Sequence, residues 1–388
     1  MRRATFVCHL SVWCVFAAIT VTGCSACRHY TGQRSSAKTA QAVLASARAN
    51  EISLFGDLPG ASESVFISRS AVPLRRHSFT EVGADYDADI DAEGERIVFA
   101  STRHSLRPDL YIKSVDGVAV TQLTSDAASD VQPTFSPDGS RVAFASNRAG
   151  QWDIWTIDVD GGPPVQITSS PAEEIHPSWS PDGQQLVYCT LPASGGQWEL
   201  WVTSAYAGGT KRFVGFGLFP EWSPVENRIV FQRARERGSR WFGIWTITLI
   251  GGEPKHPTEL ASSSTESMIL PTWSPDGARI AFASASIFPS ECDELRLPTS
   301  TGVFDVWVMG ADGRGRTRLT DGLTFNYAPT FAPSGRVFFS SSRSGQENIW
   351  SLGLAGVTGV MRDDHRISRV REHTANQPMT AKTVASQD

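Results

Sequence analysis

An aromatic-Ser-Pro-Asp-Gly phrase returns along the chain at a regular interval, and this repetition constrains the fold more than any other feature. The turn glycine or its equivalent falls at Gly94, Gly139, Gly183, Glu226, Gly277 and Gly335. These anchors lie 45, 44, 43, 51 and 58 residues apart. Self-similarity at such a period indicates a repeat architecture in which each copy is one supersecondary unit.

Each copy has the same order of strand signals. An aliphatic or aromatic residue precedes the turn, and an apolar strand such as "RVAFAS" follows it. An aliphatic-aromatic pair such as Ile154-Trp155, a glycine hairpin and a short strand such as "PVQIT" complete the copy. In the fifth copy "SASIFPSECDELRLPTSTG" is an insertion. Four antiparallel strands per copy predict an all-β chain folded as a six-bladed β-propeller.

The ring of blades needs a closing strand. The sixth copy continues into "VTGVMRDDHRISRV", which is a poor fourth strand. Counting back from Gly94 places "AVPLRRHSF" (Ala71–Phe79) where an outer strand should lie. We therefore expect the ring to be closed by this N-terminal strand, which protects blade edges. The predicted propeller spans residues 71–358, and residues 359–388 are predicted to be disordered.

The first residues read as an export signal. "MRR" is followed by the apolar "VCHLSVWCVFAAITV", which predicts a signal peptide over residues 1–23. The end of this segment, Val21-Thr22-Gly23-Cys24, resembles a bacterial lipobox, so Cys24 is a candidate for lipidation. An ordinary secretory signal with an incidental cysteine is the alternative. Residues 24–70 are polar and predict a tether, and Ser25 favours the outer membrane over the inner one.

Composition and motifs exclude several functions. A net charge of -5 and a pI near 5.9 argue against nucleic acid as a partner. The chain has no G-x-S-x-G, Walker A or H-E-x-x-H motif, so we predict no catalytic residues, no cofactor and no metal. Three cysteines follow the predicted lipobox: Cys27, Cys189 and Cys292. Their spacing matches neither a disulfide framework nor a zinc site. Cys189 is predicted to be a buried hydrophobe.

Two columns of the aligned repeats suggest a binding site where each innermost strand begins. Five residues before the pre-turn residue the copies read Asp85, Asp130, Glu174, Gly217, Met268 and Asn326. Three residues before it they read Asp87, Gln132, His176, Phe219, Leu270 and Ala328. Because innermost strands border the central channel, clustered carboxylates would focus negative potential there, and we predict a binding site for a cation or a basic peptide at its mouth. Its members are Asp85, Asp87, Asp130, Gln132, Glu174, His176 and Asn326.

Structural roles compete with that hypothesis. The acids at the strand entries can also accept bonds within loops, and His176 can simply line the funnel. Arg103, Arg148 and Arg343 recur after the second strand and suggest either a repeated loop contact or a contact with a partner. Asp138 and its equivalents Asp182 and Asp276 are predicted to form turns. Eleven of the twelve tryptophans lie in the repeats, where packing between blades explains them better than carbohydrate stacking.

The repeat "FSPDGSRVAFASNRAGQWDIWTIDVDGGPPVQIT" resembles the WD40-like propeller repeat of the TolB family over about residues 71–358. TolB proteins are periplasmic six-bladed propellers that link inner-membrane Tol proteins to the lipoprotein Pal. They also carry an N-terminal α/β domain, whereas only about 50 residues separate Cys24 from the first blade here. The resemblance therefore implies a TolB-like protein of the cell envelope more than the Tol-Pal component itself.

These observations favour a non-enzymatic, monomeric scaffold that binds an envelope protein or peptide from the periplasmic side of a membrane. The alternative is a propeller-fold enzyme, such as a carbohydrate lyase or hydrolase, with its chemistry in the central channel. A third hypothesis is a sensor module for a small ligand. An enzyme would gather acid, base or metal-binding groups from opposite blades, while the two columns offer them from neighbouring blades only.

Overall fold

The computed structural model of the protein describes residues 74–234, 242–286 and 304–354. All regular elements in these ranges are β-strands, and they form six four-stranded antiparallel sheets. Several sequence-based predictions lie outside the described residues and remain predictions. They are the signal peptide (1–23), the tether with Cys24 (24–70), the start of the closing strand (71–73), most of the insertion (287–303) and the tail (359–388).

Each blade follows the strand order of its sequence copy. Blade one contains β2 (Asp85–Ile90), β3 (Arg96–Ser101), β4 (Asp109–Ser114) and β5 (Thr121–Gln122). Blade two contains β6 (Asp130–Phe135), β7 (Arg141–Ser146), β8 (Asp153–Asp158) and β9 (Val165–Gln166). Blade three contains β10 (Glu173–Trp179), β11 (Gln185–Leu191), β12 (Glu199–Ser204) and β13 (Arg212–Phe216).

The remaining blades repeat the pattern. Blade four contains β14 (Leu218–Trp222), β15 (Arg228–Ala234), β16 (Phe242–Ile250) and β17 (Glu253–Ala261). Blade five contains β18 (Glu266–Trp273), β19 (Arg279–Ser286), β20 (Phe304–Gly310) and β21 (Thr317–Arg318). Blade six contains β22 (Asn326–Phe331), β23 (Arg336–Ser341) and β24 (Asn348–Gly353), together with β1 (Arg75–Arg76). The first strands β2, β6, β10, β14, β18 and β22 contact one another in a closed ring.

The Ser-Pro-Asp-Gly phrase is a turn between the first two strands of a blade. In blade two the Gly139 amide donates to the Ser136 carbonyl at 2.8 Å. The Ser136 hydroxyl donates to the Asp138 carboxylate at 2.5 Å, and Gly139 has φ 65°. A positive φ at this position is the reason for glycine. These turns define one face of the propeller, the turn face, and the innermost strands begin at the opposite face, the entry face.

The predicted closure by an N-terminal strand is confirmed. Strand β1 pairs antiparallel with β24, with Arg75 opposite Ser351 and Arg76 opposite Trp350. Just after β1, the ring of His77 bonds the Ser351 hydroxyl at 2.7 Å and the Val115 carbonyl at 3.1 Å. The closing strand is therefore fixed to blades six and one by side-chain as well as backbone hydrogen bonds.

The hydrophobic core lies between the blades. Ile97 and Phe99 of blade one pack in one cluster with Phe338 of blade six. A second cluster joins Val306 of blade five to Phe339 of blade six. Each sheet thus covers the faces of its neighbours, which explains why the second strands are apolar on both sides. Cys189 is fully buried in blade three, as its apolar strand predicts.

Candidate functional site

The residues five before the pre-turn position are buried at the start of the innermost strands. Asp85 has no exposed surface. Its carboxylate accepts a hydrogen bond from the Ser101 hydroxyl at 2.6 Å and two from Nη2 of Arg103, both at 2.9 Å. Arg103 also donates from Nε to the Ser101 hydroxyl at 3.1 Å. We call this group the entry cluster. It consists of an acid or amide, the last serine of the second strand and the arginine two residues after that serine.

The entry cluster is repeated in blades two and six. Asp130 accepts both bonds from Nη2 of Arg148 at 2.9 Å, and Arg148 Nε donates to Ser146. In blade six Asn326 replaces the acid and accepts from Ser341 at 2.8 Å and from Arg343 at 2.9 Å. Each arginine also stacks on aromatic rings of its own blade. These pairs are Arg103 with Phe99 and Tyr111, Arg148 with Phe144 and Trp155, and Arg343 with Phe339 and Trp350.

Blade three satisfies its acid differently. Glu174 is buried and accepts from Nζ of Lys211 and from the Ser170 hydroxyl, at 2.8 and 2.9 Å. Glu174 also faces Asp153 of blade two. The pKa of Asp153 is raised to about 6, mainly by burial and next by the negative charge of Glu174. The acids at the strand entries are therefore bound to groups of the propeller itself.

The residues of the second column, three before the pre-turn position, have a left-handed backbone in all six blades. Asp87, Gln132, His176, Phe219, Leu270 and Ala328 have φ between 47° and 56°. Each lies at a register shift between the first and second strands of its blade. A bulge of this kind bends the strand and redirects a side chain. Because all six blades share the strained conformation, it belongs to the architecture of the blade.

At this level side chains of one blade hold the backbone of the next. The Asp87 carboxylate accepts a bond from the Gln132 amide. The Gln132 side chain in turn accepts from the His176 amide at 3.0 Å, and the His176 ring meets Phe219 edge-on at 4.8 Å. The structure thus brings Asp87, Gln132 and His176 together around the channel. Burial lowers the pKa of His176 to about 4, so its ring is neutral at pH 7.

A third column, one residue before the pre-turn position, was not selected from the sequence. It reads Asp89, Thr134, Ser178, Glu221, Thr272 and Thr330. Asp89 accepts from the Phe135 amide at 2.8 Å and from the Thr330 hydroxyl at 3.2 Å, so it joins blades two and six. Glu221 accepts from the Trp273 amide at 2.9 Å and the Thr272 hydroxyl at 3.0 Å. In the sequence, Asp89 and Glu221 differ from the serines and threonines of their column, and this difference is the signal that could identify them as candidate site residues.

The channel acids hold protons more tightly than ordinary carboxyls. Burial raises the pKa of Glu221 to about 8, and the charge of Asp89 adds to the effect. Burial also raises the pKa of Asp89, and burial together with Glu347 raises the pKa of Asp87 to about 7. With Asp85 and Asp130 paired to arginines, the channel mouth is much less negative than its sequence indicates. This differs from the focused negative potential that we expected.

Asp89 and Glu221 belong to blades one and four, which face each other across a six-membered ring. The two columns selected from the sequence, by contrast, place acids in neighbouring blades only. Among the described residues, no group of three or more His, Cys, Asp or Glu is arranged to hold a metal ion. Within the same ranges, no helix has the length and hydropathy needed to cross a membrane.

Comparisons with known proteins agree with this fold. A family model of the N-terminal β-propeller domain of Tricorn protease matches residues 84–242. An uncharacterized protein of Agrobacterium fabrum is 35% identical over 114 residues, 29% of this chain and 32% of that protein. The chain thus matches about a third of the length of this curated relative. The structure of a TolB candidate from Agrobacterium tumefaciens aligns with a TM-score of 0.51 at 19% identity, covering 70% of this chain and 90% of that one.

The chain has a TolB-like six-bladed β-propeller fold. Other propellers are similar to a comparable degree. Oligogalacturonate lyase from Vibrio parahaemolyticus aligns with a TM-score of 0.50 at 14% identity, covering 74% of this chain and 95% of the lyase. A gluconolactonase from Xanthomonas campestris aligns with a TM-score of 0.50 at 14% identity, covering 73% of this chain and 90% of that protein. At these identities the TolB-like likeness is one of fold.

Proposed function

We propose that this TolB-like propeller is a periplasmic scaffold that binds a protein or peptide partner at its entry face and is tethered to the membrane by a lipid on Cys24. The propeller binds its partner as a monomer and catalyses no reaction. The channel mouth with Asp87, Gln132 and His176 opens on the same face, and it forms the centre of the proposed surface.

The observation that carries the proposal is a group of exposed apolar side chains at the entry face. Phe79 and Val82 lie in the loop between β1 and β2, Leu106 in the loop between β3 and β4, and Leu323 and Phe325 in the loop between β21 and β22. All three loops connect strands at the end where the innermost strands begin. Val82, Leu106 and Leu323 are 75%, 78% and 79% exposed. Exposed apolar side chains gathered in one region favour a protein surface as the partner.

The charges of the entry face also support a partner with an apolar surface. Its strand-entry acids are occupied by Arg103, Arg148 and Lys211, so they do not favour a basic partner strongly. An apolar surface on the blade five, six and one side of a weakly charged channel suits a segment that presents aliphatic or aromatic side chains.

The test compares two triple variants in crosslinking from native envelopes. One changes the entry face, F79S/V82S/L106S, and the control changes the turn face, V118S/V225S/I250S. These control residues are 85%, 58% and 57% exposed. We expect the wild type and the control to capture the same protein and the entry-face variant to lose it. Equal capture by both variants would sink the proposal.

The tether is tested separately. Replacing Cys24 by serine should release the protein from the membrane fraction and abolish labelling by a radioactive fatty acid. Labelling that persists in the Cys24→Ser variant would show that Cys24 carries no lipid.

A second candidate function, a carbohydrate-active enzyme with its chemistry in the channel, rests on the acids of opposite blades. Asp89 and Glu221 interact through their charges, and burial keeps Glu221 protonated at pH 7. Two carboxyls that face each other are the usual groups of acid-base catalysis on glycosidic bonds. Both nevertheless accept backbone amides, which favours a structural role. Incubation with polygalacturonate, the substrate class suggested by the lyase neighbour, decides between them. Unsaturated product that disappears in Asp89→Asn would support the enzyme.

A further inference from the structure

A polar cavity of about 250 Å³ lies on the outer part of blade three, away from the central channel. It is lined by Gln184, Gln185, Val202, Ser204, Thr210 and Arg212. Gln185 is opposite Ser204, and Val202 is opposite both Val187 and Arg212, so these residues share one side of the sheet. The lining has amide, hydroxyl and guanidinium groups and no acidic side chain.

The guanidinium of Arg212 lacks hydrogen-bond partners on one edge. Its Nε and Nη2 atoms are buried and have no partner among the described residues. These two nitrogens form the edge that binds a carboxylate or phosphate with two parallel bonds. A buried donor without a partner costs free energy, so an acceptor at this edge would be stabilising.

The neighbouring blade leaves room for this guanidinium. A Cβ atom added to Gly252, in the hairpin between β16 and β17, would be 2.7 Å from Nη1 of Arg212. Gly252 has φ 86°, a conformation that side chains rarely adopt. The guanidinium therefore lies against the backbone of blade four, at the wall of the cavity that Arg212 lines.

Equivalent positions of the other blades do not offer the same group. In the other blades, the residue directly after the third-strand aromatic, which is equivalent to Val202, pairs with Thr121, Val165, Thr258, Thr317 and, in blade six, Arg75. Arg75 forms an ion pair with Asp116 at 2.6 Å. Arg212, by contrast, has no partner at Nε or Nη2 among the described residues. The unpartnered guanidinium is thus a property of blade three and not of the repeat.

We propose that this cavity is a binding site for a small oxyanion, a carboxylate or phosphate group, held by the Nε–Nη2 edge of Arg212 with hydroxyl or amide donors from Thr210 and Gln185. The cavity has roughly the volume of several water molecules, so it also accommodates an organic group attached to the oxyanion. This site is independent of the entry face and of the proposed scaffold function.

Calorimetric titrations of the full-length protein test the site. The probes are inorganic phosphate, and D-glucuronate with D-glucose as its uncharged match, each at constant ionic strength. We expect phosphate or glucuronate to bind and glucose not to bind. Binding by phosphate alone would identify a phosphate site, and binding by glucuronate alone a carboxylate site. Absence of binding by both anions would overturn the proposal.

Three variants separate recognition by the guanidinium from general charge. Arg212→Gln removes the fork, and Arg212→Lys keeps the charge but not the parallel donors, so both should weaken binding by about tenfold or more. Arg314→Gln is the control, because Arg314 is 90% exposed on another hairpin, and it should bind as the wild type does. A thermal melt confirms that each variant is folded. Wild-type affinity in folded Arg212→Gln or Arg212→Lys would contradict the proposal.

Discussion

Blades one, two and six differ from blades four and five at the entries of their innermost strands. The first group uses the entry cluster, in which Arg103, Arg148 or Arg343 binds a buried acid or amide. In blade four the same position is Gly217, where a Cβ atom would be 2.4 Å from the ring of Phe231. In blade five it is Met268, which packs among apolar residues such as Phe282.

The backbone is nevertheless the same in both groups. Phe219 and Leu270 adopt the left-handed bulge that Asp87 and Gln132 adopt. Phe219 has no side-chain acceptor for the backbone of the next blade. Gln232, in the second strand of blade four, supplies one instead, and its side-chain oxygen accepts from the Leu270 amide at 2.8 Å. The repeat therefore preserves a backbone geometry, and polar clusters and apolar packing are interchangeable ways to stabilise it.

Breaking an entry cluster should have the largest effect. Asp130→Ala leaves Arg148 without its buried partner, and we expect a loss of about 3–5 kcal/mol in the free energy of unfolding. Asp130→Asn imitates blade six, where Asn326 accepts the same bonds, and should cost only about 1 kcal/mol. Urea denaturation measures both. Equal losses would show that the arginine does not depend on a polar acceptor.

Truncating Met268, the apolar counterpart of Asp130 in blade five, should lower the free energy of unfolding by a smaller amount, and this loss should not depend on salt. Met268 is 1% exposed, and Met268→Ala should lower the free energy of unfolding by about 2–3 kcal/mol through the cavity that it creates. The loss should be the same at low and high salt, whereas the loss for Asp130→Ala should change slightly with salt, because the pair is charged but its burial limits screening. A salt-dependent loss at Met268 would contradict this distinction between the two groups.

The channel acids predict a pH dependence. The pKa of Glu221 is about 8 in the folded protein, well above its unfolded value, so the folded state binds more protons between these two values. The stability due to this group is fully present below its unfolded pKa and is lost as the pH rises through the folded pKa. The melting temperature should therefore fall between about pH 5 and pH 8.5, less steeply in Glu221→Gln. An unchanged slope in that variant would assign the effect to other acids.

The turn acids should have the smallest effect. Asp138 accepts from the Ser136 and Ser140 hydroxyls at 2.5 and 2.8 Å on the protein surface. Blade six lacks this acid, because Ser334 stands in its place, and still forms the turn around Gly335. Asp138→Ala should lower the free energy of unfolding by about 0.5–1 kcal/mol. A loss larger than that of Met268→Ala would mean that the turn contributes more to the stability of the blade than the packing of its core.

The fold could be predicted from the sequence because period, turn chemistry and strand pattern all agree. The closing strand followed from the same count, and β1 lies within the stretch predicted for it. The site was harder to predict because its partners are distant in sequence. The sequence does not show that the column of Arg103, Arg148 and Arg343 pairs with the column of Asp85, Asp130 and Asn326. Only the pairing of the first and second strands shows that each arginine binds its own acid.

Bonds between blades were also invisible in the repeat. The acceptor role of Asp89 depends on the amide of Phe135 in the next blade and on Thr330 in the last one. Linear sequence places these residues far apart, and only ring closure brings them together. The raised pKa values follow from that burial, so the charge of the channel could not be read from its composition.

The central claim is that the strand-entry acids stabilise the propeller while the partner binds the exposed rim of the entry face. The most direct measurement uses the triple variant Asp85→Asn, Asp130→Asn and Glu174→Gln, with urea denaturation and envelope crosslinking in parallel. We predict a lower urea midpoint and, under conditions where the variant is folded, capture of the same partner. An unchanged midpoint with lost capture would contradict the claim and make these acids the binding site.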